Sequence, residues 1–336
     1  MYGQKKSSEE RVQRWFIIIG ALLALFLLNA SMNGELPGML NFLKAPKVQL
    51  FTIVLTAILM EGFAFLLLGS CLSGMIEVFV PREILEKRFP RKSFPAAVAG
   101  SLLGLCFPVC SCGNIPLTRR LMKKGVPVAG AVSYLLAAPV INPVTIISTV
   151  LAFPGTKIIS LERTGMAFLV ACACGIIFGR YDTAEILRDT SAEEVSCHHH
   201  SSSPRIIQAL HHAEHDFFLT GKYFVLGAVT ASLFQVCVPR TVLGSLGQNS
   251  VISILLLGIL GMVFSLCSFA DAFVASTFTA FPSTAKVVFM TAGPMVGISL
   301  IFLYMGTFKR KFSVRLIMLV VGIIFVLGLV RGIAGG

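Results

Sequence analysis

Thiols stand at two interruptions of long apolar segments and are the residues of this chain best suited to chemistry. The first interruption holds Cys110 and Cys112, with Cys106 close by, and the second holds Cys267. Thiolates bind soft metal and metalloid species, so two facing interruptions would form a soft-ligand site. The alternative is that these cysteines are small buried hydrophobic residues without a ligand.

Backbone groups at the same interruptions could bind an anion instead. A helix that begins at a break presents free N–H groups and the positive end of its dipole, and Gly113, Asn114 and Ser268 suit such a tip. Pro139 and Pro143 predict a third break, because each proline costs about 3 kcal/mol in an intact helix. The predicted substrate-binding residues are Cys110, Ser111, Cys112, Gly113, Asn114, Pro139, Asn142, Pro143, Cys267, Ser268, Asp271 and Pro294.

Two acidic residues lie inside apolar segments, where a charge is costly and points to function by default. Glu61 lies midway along one segment, and Asp271 lies on the second interruption. Either could carry a coupling proton. The alternatives are that Asp271 caps the helix after the break and that Glu61 is a structural partner of a nearby polar group.

All six histidines lie within the segment 181–216, which is predicted to be the longest polar loop. Together with Cys197 they form two tracts of residue types that bind metals. The segment is interpreted either as a metal-sensing or loading loop or as a solvated linker. The predicted metal ligands are Cys197, His198, His199, His200, His211, His212 and His215.

The elements that position these residues must cross a membrane. Of the 336 residues 55% are hydrophobic and 13% charged, and the mean hydropathy is +0.84, which exceeds what soluble cores can bury. A membrane span needs about 20 apolar residues, and the predicted fold is an all-α membrane protein of about seven transmembrane helices plus two re-entrant or broken helical hairpins. The predicted spans are 15–32, 50–80, 126–153, 163–179, 217–238, 284–306 and 316–330.

Basic residues in short loops predict the orientation, because Lys and Arg stay on the cytoplasmic side. This pattern accounts for the formal charge of +12 without a nucleic-acid partner. Lys5 and Arg14 place the N-terminus in the cytoplasm, before a first helix that is interpreted as retained. Basic clusters at 82–92 and 119–124 flank the first interruption. If both are inside, the interruption is the tip of a re-entrant hairpin; two short full crossings, or one crossing with basic residues on both sides, are the alternatives.

Three short matches recur in the same order in the two halves and indicate an internal duplication. They are Val80-Pro81-Arg82 with Val238-Pro239-Arg240, Cys110-Ser111 with Cys267-Ser268, and Ala137-Ala138-Pro139 with Ala292-Gly293-Pro294, at offsets of 158, 157 and 155 residues. With re-entrant hairpins the copies face opposite ways, as an inverted repeat of a kind that transporters often use. Hairpins that cross fully would make the repeats parallel.

The chain is accordingly divided into five segments. They are an N-terminal helix and external loop at 1–49, a first repeat at 50–180, a cytoplasmic His-rich loop at 181–216, a second repeat at 217–310 and a C-terminal helix at 311–336.

The stretch from Cys106 to Asn114, continuing through Gly125-Val126-Pro127 to Ala137 and Pro143, resembles the signature of the ArsP-type permease family. The segments 267–271 and 292–294 fit the same pattern, and the resemblance runs from about residue 50 to 310. Members are predicted inner-membrane permeases, and some export trivalent organoarsenicals or are linked to metal resistance. The resemblance implies an efflux permease of the plasma membrane. The matching motif positions are Cys110, Cys112, Asn114, Asn142 and Pro143.

A secondary transporter is the leading functional interpretation, because the chain has no Walker-type Gly-x-x-x-x-Gly-Lys-Ser/Thr loop for ATP. Its substrate would be a soft metal or metalloid species, or else a small anion or organic solute. A membrane thiol-redox enzyme using Cys110 and Cys112 is one alternative, although the chain has no Cys-x-x-Cys motif. A channel is another alternative. No cofactor is expected. The expected partners are the substrate and the lipid bilayer, and the oligomeric state stays open.

Overall fold

A computed structural model of the chain describes residues 46–107, 109–188, 204–237 and 250–334, and these residues fold almost entirely as α-helices. Within those ranges the β-pairing is one isolated bridge between Leu187 and Phe308. The predicted first span, 15–32, lies outside the described residues. The prediction of an all-helical protein is confirmed.

The helices are numbered here in chain order over the described ranges. They are α1 (Pro46–Phe79), α2 (Arg82–Arg88), α3 (Ser93–Cys106), α4 (Ser111–Lys123), α5 (Val128–Ala137), α6 (Pro143–Ala152), α7 (Lys157–Phe178), α8 (Thr183–Ile186), α9 (Arg205–Cys237), α10 (Ser250–Phe264), α11 (Ala270–Thr277), α12 (Ser283–Val296), α13 (Ile298–Thr307) and α14 (Arg310–Ala334).

Five helical segments in the described part of the chain are long and apolar enough to cross a membrane. They are α1, α7, α9, the consecutive helices α12 and α13 taken together, and α14. The shorter apolar helices α3, α5, α6 and α10 accompany them. A multi-pass membrane protein is therefore confirmed, with its long helices interleaved with short broken ones.

Helices α1 and α9 pack closely against each other in opposite directions. A Cβ added at Gly62 would lie 2.0 Å from the ring of Phe224, and one added at Gly74 would lie 2.2 Å from the carbonyl oxygen of Ala209. Contacts move toward the start of α9 as they move toward the end of α1, so the two helices are antiparallel. Glycines on α1 allow this close approach because they carry no side chain.

The first break, between α3 and α4, lies between two helices that run in opposite directions. Helix α3 starts near the C-terminal end of α1, to which it is joined by the short helix α2. Past the end of α4, Lys124 returns to that same end of α1, where its Nζ donates to the carbonyl oxygens of Glu77 at 2.5 Å and Val80 at 2.7 Å. Helix α3 therefore runs from the C-terminal end of α1 to the break, and α4 runs from the break back to that end.

The third predicted break is present between α5 and α6. Asn142 has extended backbone angles and caps α6, because its Oδ1 accepts from the backbone N–H of Thr145 at 2.8 Å. Pro143 occupies the first turn of α6, where a proline loses no helical hydrogen bond.

The structure differs from the predicted elements in the second half. The span 284–306 was predicted as one helix but bends at Gly297, whose ψ of 153° is extended. The helix predicted at 217–238 begins at Arg205, so the end of the predicted polar loop is helical. Helix α14 begins at Arg310 rather than at 316. Helices α9 and α14 both begin with polar and basic residues that precede their apolar parts. Hydropathy alone therefore placed their starts too late.

Candidate functional site

A cavity of about 310 Å³ lies between the two breaks and the antiparallel pair α1 and α9. Its lining combines apolar side chains with a few polar groups, as is usual for small-molecule sites. The lining residues include Ile53, Val54, Ala57, Ile58, Glu61, Phe65, Cys110, Ser111, Cys112, Phe224, Gln235, Ser265, Leu266, Cys267, Ala270, Gly293, Gly297 and Ser299.

The thiols predicted from the sequence meet at this cavity. Cys110 is the N-cap residue of α4, and its side chain contacts that of Cys112. Cys267, on the second break, lines the same cavity. All three are partly exposed, whereas Cys106 is exposed elsewhere and does not line it. The positive end of the α4 dipole lies at Cys110 and stabilises negative charge there.

Among the described residues that line the cavity, Glu61 is the one with a carboxylate side chain. It lies on α1, and its carboxylate contacts the thiol of Cys267. A carboxylate beside thiols attracts cations and electrophilic centres and repels anions. The cavity is therefore electrostatically suited to a cationic or electrophilic solute.

Several other predicted site residues hold the breaks and do not line the cavity. Asn114 is fully buried and donates through Nδ2 to the carbonyl oxygens of Tyr134 at 3.2 Å and Leu135 at 2.9 Å. Asn142 donates to the carbonyl oxygen of Pro139 at 3.2 Å, within the turn that precedes Pro143. Asn114 thereby pairs the Leu135 carbonyl oxygen, whose helical donor would be the N–H that Pro139 lacks, whereas the Tyr134 carbonyl oxygen also accepts from the backbone N–H of Ala138 at 3.0 Å.

Gly113 and Pro294 are likewise packing positions. A Cβ added at Gly113 would lie 2.5 Å from the carbonyl oxygen of Phe65, so glycine allows α4 to approach α1. Pro294 lies inside α12, between the cavity-lining Gly293 and the bend at Gly297.

Asp271 forms a buried ion pair with Arg163, a residue that the sequence analysis did not single out. Arg163 is 1% exposed and donates to the Asp271 carboxylate at 2.9 Å and to the carbonyl oxygen of Ser268 at 3.0 Å. It also donates to Thr149 at 2.8 Å. Asp271 and Ser268 do not line the cavity; they lie behind Cys267. Arg163 could not be recognised from the sequence, because it stands at the start of an apolar span without a local partner.

Gln235 was also missed by the sequence analysis, and Ser265, the first residue of the predicted second interruption, was not predicted to be a site residue. Ser265 has a φ of +46°, a left-handed conformation that is unusual for a serine, and its Oγ accepts from the backbone N–H of Ser299 at 3.3 Å. Gln235 donates to the carbonyl oxygen of Phe264, at the end of α10, at 2.7 Å. Both tie the second break to neighbouring helices through contacts that exist only in the folded chain.

The predicted histidine ligands fall into two groups. Cys197 to His200 lie outside the described residues. The other group, His211, His212 and His215, lies on the first turns of α9, where His211 faces Glu214 at 3.9 Å. No group of three or more His, Cys, Asp or Glu side chains within the described ranges is arranged to hold a metal ion. Metal binding by these residues stays a prediction.

Comparisons with known proteins agree with this architecture. The chain is 36% identical over 273 residues to the UPF0718 protein YcgR of Bacillus subtilis. The match covers 81% of this chain and 93% of that protein. It is 34% identical over 283 residues to a putative two-component membrane permease complex subunit of Streptococcus mutans, covering 82% of this chain and 93% of the relative. A shorter match, 29% identical over 80 residues, covers 24% of this chain and 23% of the UPF0718 protein YraQ of Escherichia coli.

No solved structure matches the chain. The family model ArsP_1, described as a predicted permease, matches residues 47–333. That match takes in both breaks, the cavity between them and every long helix described above. The chain therefore belongs to the ArsP_1 family of predicted permeases.

Proposed function

We propose that this permease is a secondary transporter that exports a soft, thiol-binding metal or metalloid species, such as a trivalent organoarsenical, across the plasma membrane. The observation that carries the proposal is the meeting of Cys110, Cys112, Cys267 and Glu61 at one cavity. Soft thiol ligands select soft solutes. A carboxylate at the same cavity disfavours the anion considered as the alternative substrate.

Trivalent arsenic suits the adjacent pair Cys110 and Cys112. An organoarsenical that carries two hydroxyl groups would exchange each of them for a cysteine sulfur. Two As–S bonds form, two As–O bonds break, and each thiol proton leaves with a hydroxyl group as water, while arsenic stays trivalent. The reverse exchange with water releases the solute, so the site needs no cofactor.

A proton balances the transport of a soft cation. A cation that binds Cys267 as a thiolate displaces the thiol proton, and Glu61 contacts this thiol and can accept the proton. The Glu61 carboxylate is our proposed carrier of the coupling proton. Asp271 is less suited, because Arg163 already pairs with it at 2.9 Å.

The two halves are proposed to form an inverted repeat. At the offset of 158 residues, α1 (34 residues) corresponds to α9 (33 residues), and these helices run antiparallel. The breaks after α3 and α10 correspond in the same way, as do those that precede α6 and α13. Inverted halves with discontinuous helices around a central site are a recurrent design for alternating access. The hairpin of α3 and α4 is then re-entrant, and the basic ends at 82–92 and 119–124 lie in the cytoplasm with the N-terminus.

The proposal is tested by uptake into everted membrane vesicles of trivalent methylarsenical, arsenite, Zn and Cu(I). Wild type should accumulate at least one of these solutes, and Cys110→Ser and Cys112→Ser should lose that accumulation. Cys71→Ser is the matched control, because Cys71 is exposed and does not line the cavity. For the soft cations Zn and Cu(I), Glu61→Gln should retain binding and lose the pH dependence of uptake.

Two results would overturn the proposal. Accumulation that persists in both cysteine variants would remove the thiols from the pathway. Accumulation of an anion in preference to all four soft solutes would assign the cavity to the backbone N–H groups at the breaks.

A further inference from the structure

A network of charged and polar side chains ties α1, α4 and α9 together at one end of the molecule. Asp216 on α9 is 2% exposed and accepts two hydrogen bonds from Arg120 on α4, from Nε at 3.1 Å and from a terminal nitrogen at 3.2 Å. Ser73 on α1 donates to the same carboxylate at 2.7 Å. Paired hydrogen bonds between Arg and a carboxylate are strong and geometrically specific.

Further charged groups surround this pair. Arg120 also lies 3.5 Å from the carboxylate of Glu77 on α1, and Lys124 donates to the backbone at the end of α1. His212 lies one turn before Asp216 on α9, near Arg120. The network therefore joins three of the helices that pass from this end of the molecule to the cavity.

The network lies to one side of the cavity on all three helices. On α1 the cavity is lined between Ile53 and Phe65, whereas the network begins at Ser73. Helix α4 meets the cavity at its first residues and the network at Arg120, three residues before its end. On α9 the cavity is lined from Phe224 onward, beyond Asp216. On α1, α4 and α9 the network therefore stands between the cavity and this end of the molecule.

Among the described residues, the repeat-related positions on α1 and α9 at the other end of the cavity carry no equivalent charge pair. At the repeat offset of 158 residues, Asp216 corresponds to Ile58, and Glu77 corresponds to Gln235. Both Ile58 and Gln235 line the cavity. Asp216 and Glu77 belong to the charged network at one end of the cavity, whereas the residues related to them by the repeat, Ile58 and Gln235, are uncharged and line the cavity itself.

From this asymmetry we infer that Arg120, Asp216 and Ser73 form the gate that closes the cavity from the cytoplasmic side. The inference rests on the proposed transport function and its inverted repeat. While the network is intact, we expect the cavity to be closed from the cytoplasmic side and to be reached from the external side. The network must separate for the cavity to open inward, and alternating access requires both states.

Accessibility of a single thiol tests this gate without any transport measurement. A variant that keeps Cys267 and has its other cysteines replaced is treated in right-side-out and everted vesicles with a membrane-impermeant, positively charged methanethiosulfonate reagent. Cys267 should react from the external side and be protected from the cytoplasmic side. Asp216→Asn in this background should raise the cytoplasmic-side rate by about tenfold, because loss of a buried charge pair shifts a two-state equilibrium at least this far.

Two further variants and a control keep the result decisive. Ser73→Ala removes one hydrogen bond and should produce a smaller increase in the same direction, and exchanging the charges with Arg120→Asp and Asp216→Arg should restore protection. Arg315→Ala is the control, because this exposed arginine bonds Tyr181 outside the network. Unchanged protection in Asp216→Asn, in protein that elutes as a folded species, would overturn the gate, as would equal reactivity of Cys267 from both sides before mutation. Failure to transport an arsenical would leave this readout unaffected.

Discussion

Arg163 and Asp271 show what a buried charge does at the scale of a single residue. Both side chains are almost completely buried, and the pair also holds the carbonyl oxygen of Ser268, next to the cavity-lining Cys267. Removing one member of such a pair leaves the other charged and unpaired in an apolar environment, whereas removing both does not. The pair is therefore best understood as a support for the second break.

Replacing Arg163 with alanine should lower the free energy of unfolding by about 3–5 kcal/mol, because Asp271 would lose its buried partner. The measurement is denaturant unfolding of the purified protein in detergent. The double variant Arg163→Met with Asp271→Leu should recover most of this loss, since no unpaired charge remains. Equal destabilisation by the single and double variants would show that packing volume matters here and the ion pair does not.

Residue type was enough to find the cavity thiols and Glu61 from the sequence, because thiols and a carboxylate are conspicuous in apolar segments. It was not enough for Arg163 or Asp216. Their partners, Asp271 and Arg120, lie on distant segments, and the pairing depends on how the helices pack.

At the scale of helices, glycines decide how closely the broken elements approach the long ones. A Cβ at Gly69 would lie 2.3 Å from the carbonyl oxygen of Gly113, so α1 and α4 are in backbone contact. This contact holds the start of α4, with Cys110 and Cys112, against α1 about two helical turns after Glu61. Small residues at such crossings are the usual basis of close packing between membrane helices.

Gly113→Val should force α4 away from α1 and displace the two thiols from the cavity. Overpacking of this kind costs about 1–3 kcal/mol, so the protein should still fold with a lowered unfolding temperature and altered reactivity of Cys110 and Cys112 toward maleimide. Gly165→Val on α7 is the matched control, because no atom lies within 4 Å of the added Cβ. Unaltered thiol reactivity in Gly113→Val would contradict the proposed positioning of α4.

The breaks were predictable where the sequence contains a proline or a polar run. Pro139 and Pro143 predicted the break before α6, and the structure has it there. The bend at Gly297 was missed although Gly293 and Pro294 precede it, because α12 accommodates Pro294 and a glycine in an apolar segment is also compatible with a continuous helix. Ser265 supports that bend through Ser299, a contact that only the folded chain creates.

At the scale of the whole molecule, the antiparallel pair α1 and α9 forms the axis around which the two breaks face one cavity. Hydropathy was sufficient to predict a multi-pass helical protein, whereas the duplication indicated by short matches at a nearly constant offset stays a prediction. The packing partners were beyond reach of the sequence, because apolar helical faces that meet lipid and those that meet protein have similar compositions.

The central claim is that the cavity between the two breaks holds the transported solute. The most direct test is the rate of maleimide alkylation of each cysteine in the purified protein, with and without trivalent methylarsenical, followed by mass spectrometry. At a concentration about ten times the Kd, alkylation of Cys110 and Cys112 should slow by about tenfold, while exposed Cys71 serves as the internal reference. Equal alkylation of Cys110 and Cys112 in both conditions, in protein that transports the compound, would contradict the account.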